Sequence, residues 1–360
     1  MASLTITDVH KRYGQGPQAH AALQGVSLAV AHGEFIALLG PSGSGKTSLL
    51  RAIAGLEDID AGRIEIAGEP QSTAGFTRPP ERRGISVVFQ NHALWPHLSV
   101  FDNVAFPLRE QGRPAATELR ERVERALAEV GLQSLGQRHP GELSGGQKQR
   151  VALARAMVGA PRVILFDEPL ASLDLELRWD MLRQIARLRE RGITMVYVTH
   201  NQEEALALAD RVAVLAQGRL QQLARPEQLV REPATAMVAR FVGGGNLLPA
   251  RVRERVGERL LRVEVGGHAL LARCARPPAG AEVMISVAQT AIGLGPCAEG
   301  QVLPARLQYL FYQGHDSLAE VELADGASLQ LRLPAGHGAR VGDALPLHLR
   351  DAWILPETPR

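Results

Sequence analysis

The run Gly40-Pro41-Ser42-Gly43-Ser44-Gly45-Lys46-Thr47 joins glycines, a lysine and a hydroxyl at the spacing that wraps a polyphosphate. Glycines let backbone N–H groups close on phosphate oxygens, and a helix starting there adds the positive end of its dipole. Lys46 can reach the β- and γ-phosphates, the Thr47 hydroxyl can ligate Mg²⁺, and Ser48 extends the same polar contact surface. Alone, this loop says only that a nucleoside triphosphate binds; a transporter, a GTPase, a kinase and a helicase all remain open. Downstream, the apolar run Val163–Phe166 leads into Asp167-Glu168. A carboxylate at such a strand end can hold Mg²⁺, and Asp167 is placed for it. Glu168 can orient or deprotonate the water that attacks the γ-phosphate. A third element, Leu143-Ser144-Gly145-Gly146-Gln147, precedes a helix-like run and makes a second anion cradle with no lysine of its own. Two half-sites on one chain suggest head-to-tail sharing between two copies.

These residues need a scaffold that presents strand ends and helix starts together. Phe35–Leu39, Val163–Asp167, Thr194–Thr199 and Val212–Leu215 are short, nearly continuous apolar runs, as strands buried on both faces should be. Between them, Leu119, Val123, Leu127 and Val130 recur at helical spacing, as do Leu177, Met181, Ile185 and Leu188. The expectation is an α/β domain with a mixed sheet core over 1–242, including a helical subdomain over about 91–160. After Gly243-Gly244-Gly245, read as a flexible break, the pattern changes. Arg262–Val265 and Leu318–Leu323 alternate apolar and polar residues between glycine, proline and aspartate, which predicts a small all-β domain over 243–360.

Composition narrows the partners. The 360 residues carry a net charge of only +2 and 4% aromatics, so no basic, aromatic-rich surface for nucleic acid is expected. Arg82-Arg83 is expected to be solvated surface. Cys274 and Cys297 lie far apart, which suits two reduced thiols in a cytosolic protein. The first residues lack a basic start and apolar run, so no secretory signal is expected, and no run of about 18 apolar residues predicts a spanning helix. A membrane role would have to be exercised through partners.

The Leu143–Gln147 motif, in this order after Gly40–Thr47 and before Asp167-Glu168, closely resembles the nucleotide-binding subunits of ATP-binding-cassette (ABC) transporters. That resemblance implies the P-loop NTPase fold with a helical subdomain, ATP and Mg²⁺ as ligands, and a homodimer in which one copy's Ser144 and Gly145 close over ATP held by the other's Lys46. It also assigns further positions. Tyr13 resembles the aromatic that stacks on adenine. Gln90 resembles the glutamine that senses Mg²⁺ and the transmembrane partner. Ser172-Leu173-Asp174 resembles the loop that communicates across the dimer, and His200 the histidine that contacts the γ-phosphate.

Within the family, the segments 91–106 and 199–205 resemble importer subunits for polyamines, ferric iron, sulfate, sugars or phosphonates. The β-rich tail resembles the oligonucleotide-fold-like (TOBE) domain of those importers. The implied protein is a peripheral ATPase on the cytoplasmic side of the inner membrane. It would serve integral permease subunits and, indirectly, an extracytoplasmic solute-binding protein; the solute leans toward polyamine or ferric iron. An exporter cassette, or a soluble ABC ATPase of DNA repair or translation, is the alternative. The latter carries coiled-coil inserts or paired cassettes, and this chain has one signature and no heptad run. Two departures stand out: Asn201 replaces the usual aspartate, and Ser286–Thr290 lacks the Arg-Pro-Glu found in many such tails.

Overall fold

A computed structural model of the chain describes residues 2–16, 19–112, 114–171, 173–295 and 302–356. Ser172 and Cys297 lie outside the described residues. Contacts divide the chain into two compact units, Met1–Pro226 and Glu227–Arg360.

The first unit begins with β1 (Ala2–Tyr13) and β2 (His20–Ala31), then the buried β3 (Phe35–Leu39) and helix α1 (Lys46–Ala54). Three short strands follow, β4 (Ala61–Ile66), β5 (Glu69–Thr73) and β6 (Phe76–Thr77), and then β7 (Ile85–Val88). Helices α2 (Val100–Gln111), α3 (Ala116–Glu129) and α4 (Gly145–Val158) come next. The unit continues with β8 (Val163–Asp167), α5 (Leu175–Glu190), β9 (Thr194–Val198), α6 (Gln202–Leu208), β10 (Arg211–Ala216) and β11 (Arg219–Ala224).

Two sheets result. One is antiparallel in the order β2-β1-β4-β5-β6; the other runs β11-β10-β3-β9-β8-β7 and is parallel except for β11. Helix α1 lies in the core they share: Leu49, Leu50 and Ile53 are fully buried with Leu4, Ile64, Leu38 and Val198. Its polar start is thereby held against two sheets. Helices α2, α3 and α4 pack on one another through buried Val104, Leu108, Val123, Leu127 and Val151.

Arg83 departs from its expected solvated state. It is 2% exposed, and its guanidinium donates to the carbonyls of Ala52 and Ile53, both at 2.9 Å, at the end of α1. Further bonds go to Arg78 O at 2.8 Å, Gln71 O at 3.2 Å and Ser72 Oγ at 2.7 Å. A cation among terminal carbonyls complements both their unused acceptors and the negative end of the helix dipole. Burial pushes its pKa down to about 10. Gly55, at φ +78°, makes room: a Cβ there would sit 2.3 Å from Arg83 Nε.

The second unit opens on helix α7, which runs from Pro226 to Arg231, and α8 (Ala236–Phe241). Residues 227–242, expected in the first domain, group with this unit. The reason is visible in their bonds: Glu232 pairs with Arg273 at 3.0 Å, and Trp353 Nε1 donates to Pro233 O at 3.1 Å. The three glycines are a packed turn rather than a slack break. Gly245 N donates to Ala239 O at 2.8 Å, and a Cβ on Gly244 would lie 2.5 Å from Gln289 Nε2.

Beyond it, β12 (Asn246–Arg255), β13 (Leu260–Val265), β14 (His268–Arg273), β15 (Glu282–Val287) and β21 (Trp353–Ile354) close a barrel. A five-stranded sheet packs with it: β16 (Ile292–Leu294), β17 (Leu303–Tyr312), β18 (Asp316–Leu323), β19 (Ser328–Pro334) and β20 (Ala344–Leu349). Strict alternation of burial along β18 and β19 puts Ala319, Val321, Leu329 and Leu331 into one core with the barrel's Val263 and Ile285.

Candidate active site

The register of the parallel strands gathers the candidate residues at one edge. Leu38 and Asp167 both align with Val198, and Val88 aligns with Phe166. The chain therefore leaves β3 into Gly40, β7 toward Gln90, β8 into Glu168 and β9 into His200 side by side. Carboxyl ends of parallel strands are where open α/β sheets bind ligands.

The phosphate-type loop is wound by its own packing. A Cβ on Gly40 would stand 2.2 Å from Leu215 O, and one on Gly45, at φ +99°, 2.4 Å from Ala22 O. Lys46 is 6% exposed and curls over the loop, donating to Gly40 O at 2.8 Å, Pro41 O at 3.0 Å and Ser44 Oγ at 3.3 Å. Burial lowers its pKa, and the Glu168 charge opposes that shift. Pro41, Ser42 and Gly43 form the exposed rim, while Thr47 and Ser48 are half-buried in the first turn of α1. A cradle closed to side chains and open to backbone N–H groups fits a polyphosphate.

Glu168 is held in an uncommon conformation, φ +45°, by its N–H donating to Val198 O at 3.0 Å. There its Oε2 lies 3.0 Å from His200 Nδ1. Next to it, burial raises the Asp167 carboxyl pKa; the Glu168 charge adds to this and Arg51 opposes it. A carboxylate so placed gains from a cation. Among the described residues no group of three or more His, Cys, Asp or Glu could hold a metal by itself. Thr47, Asp167 and Gln90 each carry a side-chain oxygen of the hard kind that Mg²⁺ takes.

Tyr13 ends β1, 38% exposed, its hydroxyl bonded to Ser48 Oγ at 3.1 Å and to Glu57. Burial and Glu57 raise its pKa, so the phenol keeps its proton. The contact brings the Tyr13 hydroxyl to Ser48, the residue after the phosphate loop, and the Lys11 ammonium stands over the ring, 5.6 Å from its centroid. Asn201, whose substitution for aspartate stood out, caps α6: its Oδ1 accepts from Glu203 N at 2.9 Å and Glu204 N at 3.3 Å. An amide oxygen serves that cap as a carboxylate would.

The second cradle lies apart from the first. Ser144 caps α4 in a capping box, its Oγ accepting from Gln147 N at 3.3 Å while Gln147 Oε1 accepts from Ser144 N at 2.9 Å. Leu143 is buried beneath it. The two glycines differ. A Cβ on Gly146 would meet Leu177 of α5 at 3.0 Å, but one on Gly145 would meet nothing within 4 Å. Among the described residues no close contact asks for glycine at 145, and its backbone has no positive φ. Asp174 is exposed and caps α5, its Oδ1 accepting from Leu177 N at 2.9 Å. Among the described residues of one chain, no hydrogen bond or ion pair joins Ser144 or Asp174 to Lys46, Glu168 or His200.

Gln90 sits on an exposed turn that opens an irregular segment. Sequence reasoning missed what holds that segment. Fully buried Asn103 accepts from Trp95 N at 2.9 Å and donates to the carbonyls of Trp95, Leu98 and Ser99 at 3.0–3.1 Å. Arg155 donates to Ala93 O at 2.6 Å and His92 O at 2.9 Å, its guanidinium 5.0 Å from the Trp95 ring. Segment 91–99 is thus pinned to α2 and α4 while Asn91, Ala93, Pro96 and His97 stay exposed.

The chain matches the family model for ABC transporters over residues 23–171 and that for the TOBE domain over 285–355. The spermidine/putrescine import ATP-binding protein PotA 1 of Pseudomonas aeruginosa is 42% identical over 344 residues, covering 94% of this chain and 92% of that protein. Its namesake from Rubrobacter xylanophilus is 43% identical over 331 residues, covering 91% and 85%. The dimeric structure of MJ0796, a bacterial ABC transporter cassette, superposes with a TM-score of 0.57 at 32% identity, covering 62% of this chain and 98% of that one. A dimeric post-hydrolysis state of MJ0796 bound to ADP and Pi gives 0.56 with the same coverage. No helix among the described residues is long and apolar enough to cross a membrane. The chain belongs to the ABC transporter family, as an importer-type ATP-hydrolysing subunit that carries a TOBE domain and drives solute uptake through separate permease subunits.

Proposed function

We propose that this chain powers polyamine import from the cytoplasmic face of the inner membrane. What supports the polyamine over ferric iron or another solute is the likeness to spermidine/putrescine import ATP-binding proteins at 42% identity across 94% of this chain. The test is the chain reconstituted in lipid vesicles with its permease and a solute-binding protein. Spermidine or putrescine should stimulate MgATP hydrolysis and enter the vesicles. Stimulation by ferric iron or sulfate alone would overturn the solute.

The hydrolytic site is a composite of two copies. Lys46 and the backbone of Gly40–Ser48 hold the phosphates of ATP, with Tyr13 against the adenine. Ser144 and Gly145 of the second copy close over the γ-phosphate, and Asp174 lies near that junction. The supporting observation is that Gly145 is exposed with open space where a Cβ would stand. Glu168 takes a proton from the attacking water, and His200 faces the charge that develops on the γ-phosphate. Mg²⁺, held by Thr47, Asp167 and Gln90, would neutralise charge on the β- and γ-phosphates. The pinned segment 90–103, together with α2 and α3, forms the groove for cytoplasmic helices of the permease. Gln90, at its root, reports nucleotide state to that groove.

A further inference from the structure

We propose that Glu204 is a positioning residue for His200, holding the histidine's turn from the buried side and linking it to the loop that carries Asp174. The proposal rests on the reading of His200 given above and goes beyond it.

Glu204 lies on α6 and is 4% exposed. A carboxylate withdrawn from water is costly unless its acceptors are used, so its partners are informative. Oε2 accepts from Tyr197 Oη at 2.9 Å and from Thr199 Oγ1 at 2.8 Å. Thr199 Oγ1 in turn accepts from Asn201 N at 2.9 Å. One hydroxyl therefore donates to Glu204 and receives from the residue after His200, so His200 is bracketed on both sides. Tyr197 is an unyielding anchor. Its ring is fully buried, with Phe35 at 5.8 Å and Phe166 at 5.7 Å between centroids. The imidazole itself is exposed and reaches Glu168. Its own contacts do not fix the backbone that carries it; the Thr199 N–H bond to Leu38 O at 3.3 Å holds the strand end, and Glu204 with the Thr199 hydroxyl braces the turn beyond it.

The second carboxylate oxygen looks the other way. Arg178 Nε of α5 stands 3.8 Å from Glu204 Oε1, and Arg178 Nη2 donates to Leu173 O at 3.4 Å. Arg178 N donates to Asp174 O at 2.9 Å within the first turn. Arg178 and Glu204 both line a cavity of 140 Å³ whose other walls include Glu168, Thr199, His200 and Asn201. A displacement of Leu173 or Asp174 thus reaches His200 through two charged side chains and one hydroxyl. No bound phosphate or base needs to touch Glu204 for this.

The test is steady-state ATPase kinetics and ATP-analogue binding on the full-length chain carrying Glu204→Gln, Thr199→Val or Thr199→Ser. Glu204→Gln keeps the shape and loses the charge that faces Arg178 and receives two hydroxyls. Its kcat should fall about tenfold or more, with KM and analogue affinity nearly unchanged, because Lys46 and its loop are untouched. Thr199→Val should match it, Thr199→Ser should restore most of the rate, and the double variant Glu204→Gln/Thr199→Val should be no worse than either alone. A Glu204→Gln protein with ordinary kcat, a loss shared equally with nucleotide affinity, or Thr199→Ser as slow as Thr199→Val would overturn the proposal. His200→Ala separates the two readings. If it turns over normally, the role of His200 fails and this inference with it. If it is slow while Glu204→Gln is normal, only the inference fails.

Discussion

His200 Nδ1 stands 3.0 Å from Glu168 Oε2, and that contact links the protonation of one to the tautomer of the other. An ionised Glu168 accepts from Nδ1–H. A protonated Glu168 can instead donate to a bare Nδ1, leaving the imidazole proton on Nε2 for a phosphate oxygen.

Glu168→Gln keeps a side chain that can meet Nδ1 but cannot take the water's proton. Turnover should fall by at least about a hundredfold. Binding of MgATP should persist, and the closed dimer should accumulate with ATP in size-exclusion chromatography. Rapid turnover by this variant would remove Glu168 from the mechanism.

Gly145→Asp separates the demands of the chain from those of a second copy. The position is exposed, at the first turn of α4, and has open space for a side chain. An acidic group at a helix start is favourable for the helix, so denaturation should show stability within about 0.5 kcal/mol of the parent or slightly above it. The same carboxylate facing a γ-phosphate across the dimer is repulsive. ATP-dependent association and kcat should both drop sharply while the affinity of the single chain for ATP holds. Unchanged turnover would dissolve the composite site.

What could be read in the sequence was what short-range geometry demands. Gly40–Thr47 is legible because its lysine, hydroxyl and glycines act within one loop and one helix turn, and the strand Phe35–Leu39 is legible because both its faces are buried. The same holds for the alternating strands of the tail. Arg83 was not legible: its acceptors lie at residues 52, 53, 71, 72 and 78, and only the fold brings them to one guanidinium. Asn103 and Glu204 escaped for the same reason, since a buried polar side chain on a helix looks in sequence like an exposed one. The grouping of residues 227–242 with the second unit also depended on tertiary partners, Arg273 and Trp353, far along the chain.

Arg83→Met tests that hidden brace. The substitution roughly keeps length, leaves the Ile53 carbonyl at the helix end without the Arg83 donor, and takes one of two donors from Ala52 O and Gln71 O, which keep Gly55 N and Arg78 N. A loss of about 2–4 kcal/mol is expected in urea denaturation. Because α1 carries Lys46 at its other end, nucleotide affinity should also weaken. A stability change below about 0.5 kcal/mol would mean that other groups or solvent satisfy those carbonyls as well as Arg83 does.

Asp102 offers a pH signature in the helix that flanks the proposed permease groove. It accepts from Ser99 Oγ at 2.6 Å and from Arg109 at 2.7 Å, and Ser99 accepts from Asp102 N at 3.0 Å in return. The Ser99 bond, then Arg109, hold its carboxyl pKa below the usual value, against the opposing effect of partial burial. A depressed pKa means that the folded state favours the ionised form. The stabilisation is therefore present above the unfolded value and is lost as pH falls through the lower, folded one. Asp102→Asn should cost about 0.5–1 kcal/mol at neutral pH, since the first turn of α2 also favours negative charge. The gap between variant and parent should stay constant from neutral pH down to about the ordinary carboxylate range and close only below it. Parallel urea titrations of the two proteins across that range measure the gap directly, and a gap that closes well above the ordinary carboxylate range would show that a different group carries the effect.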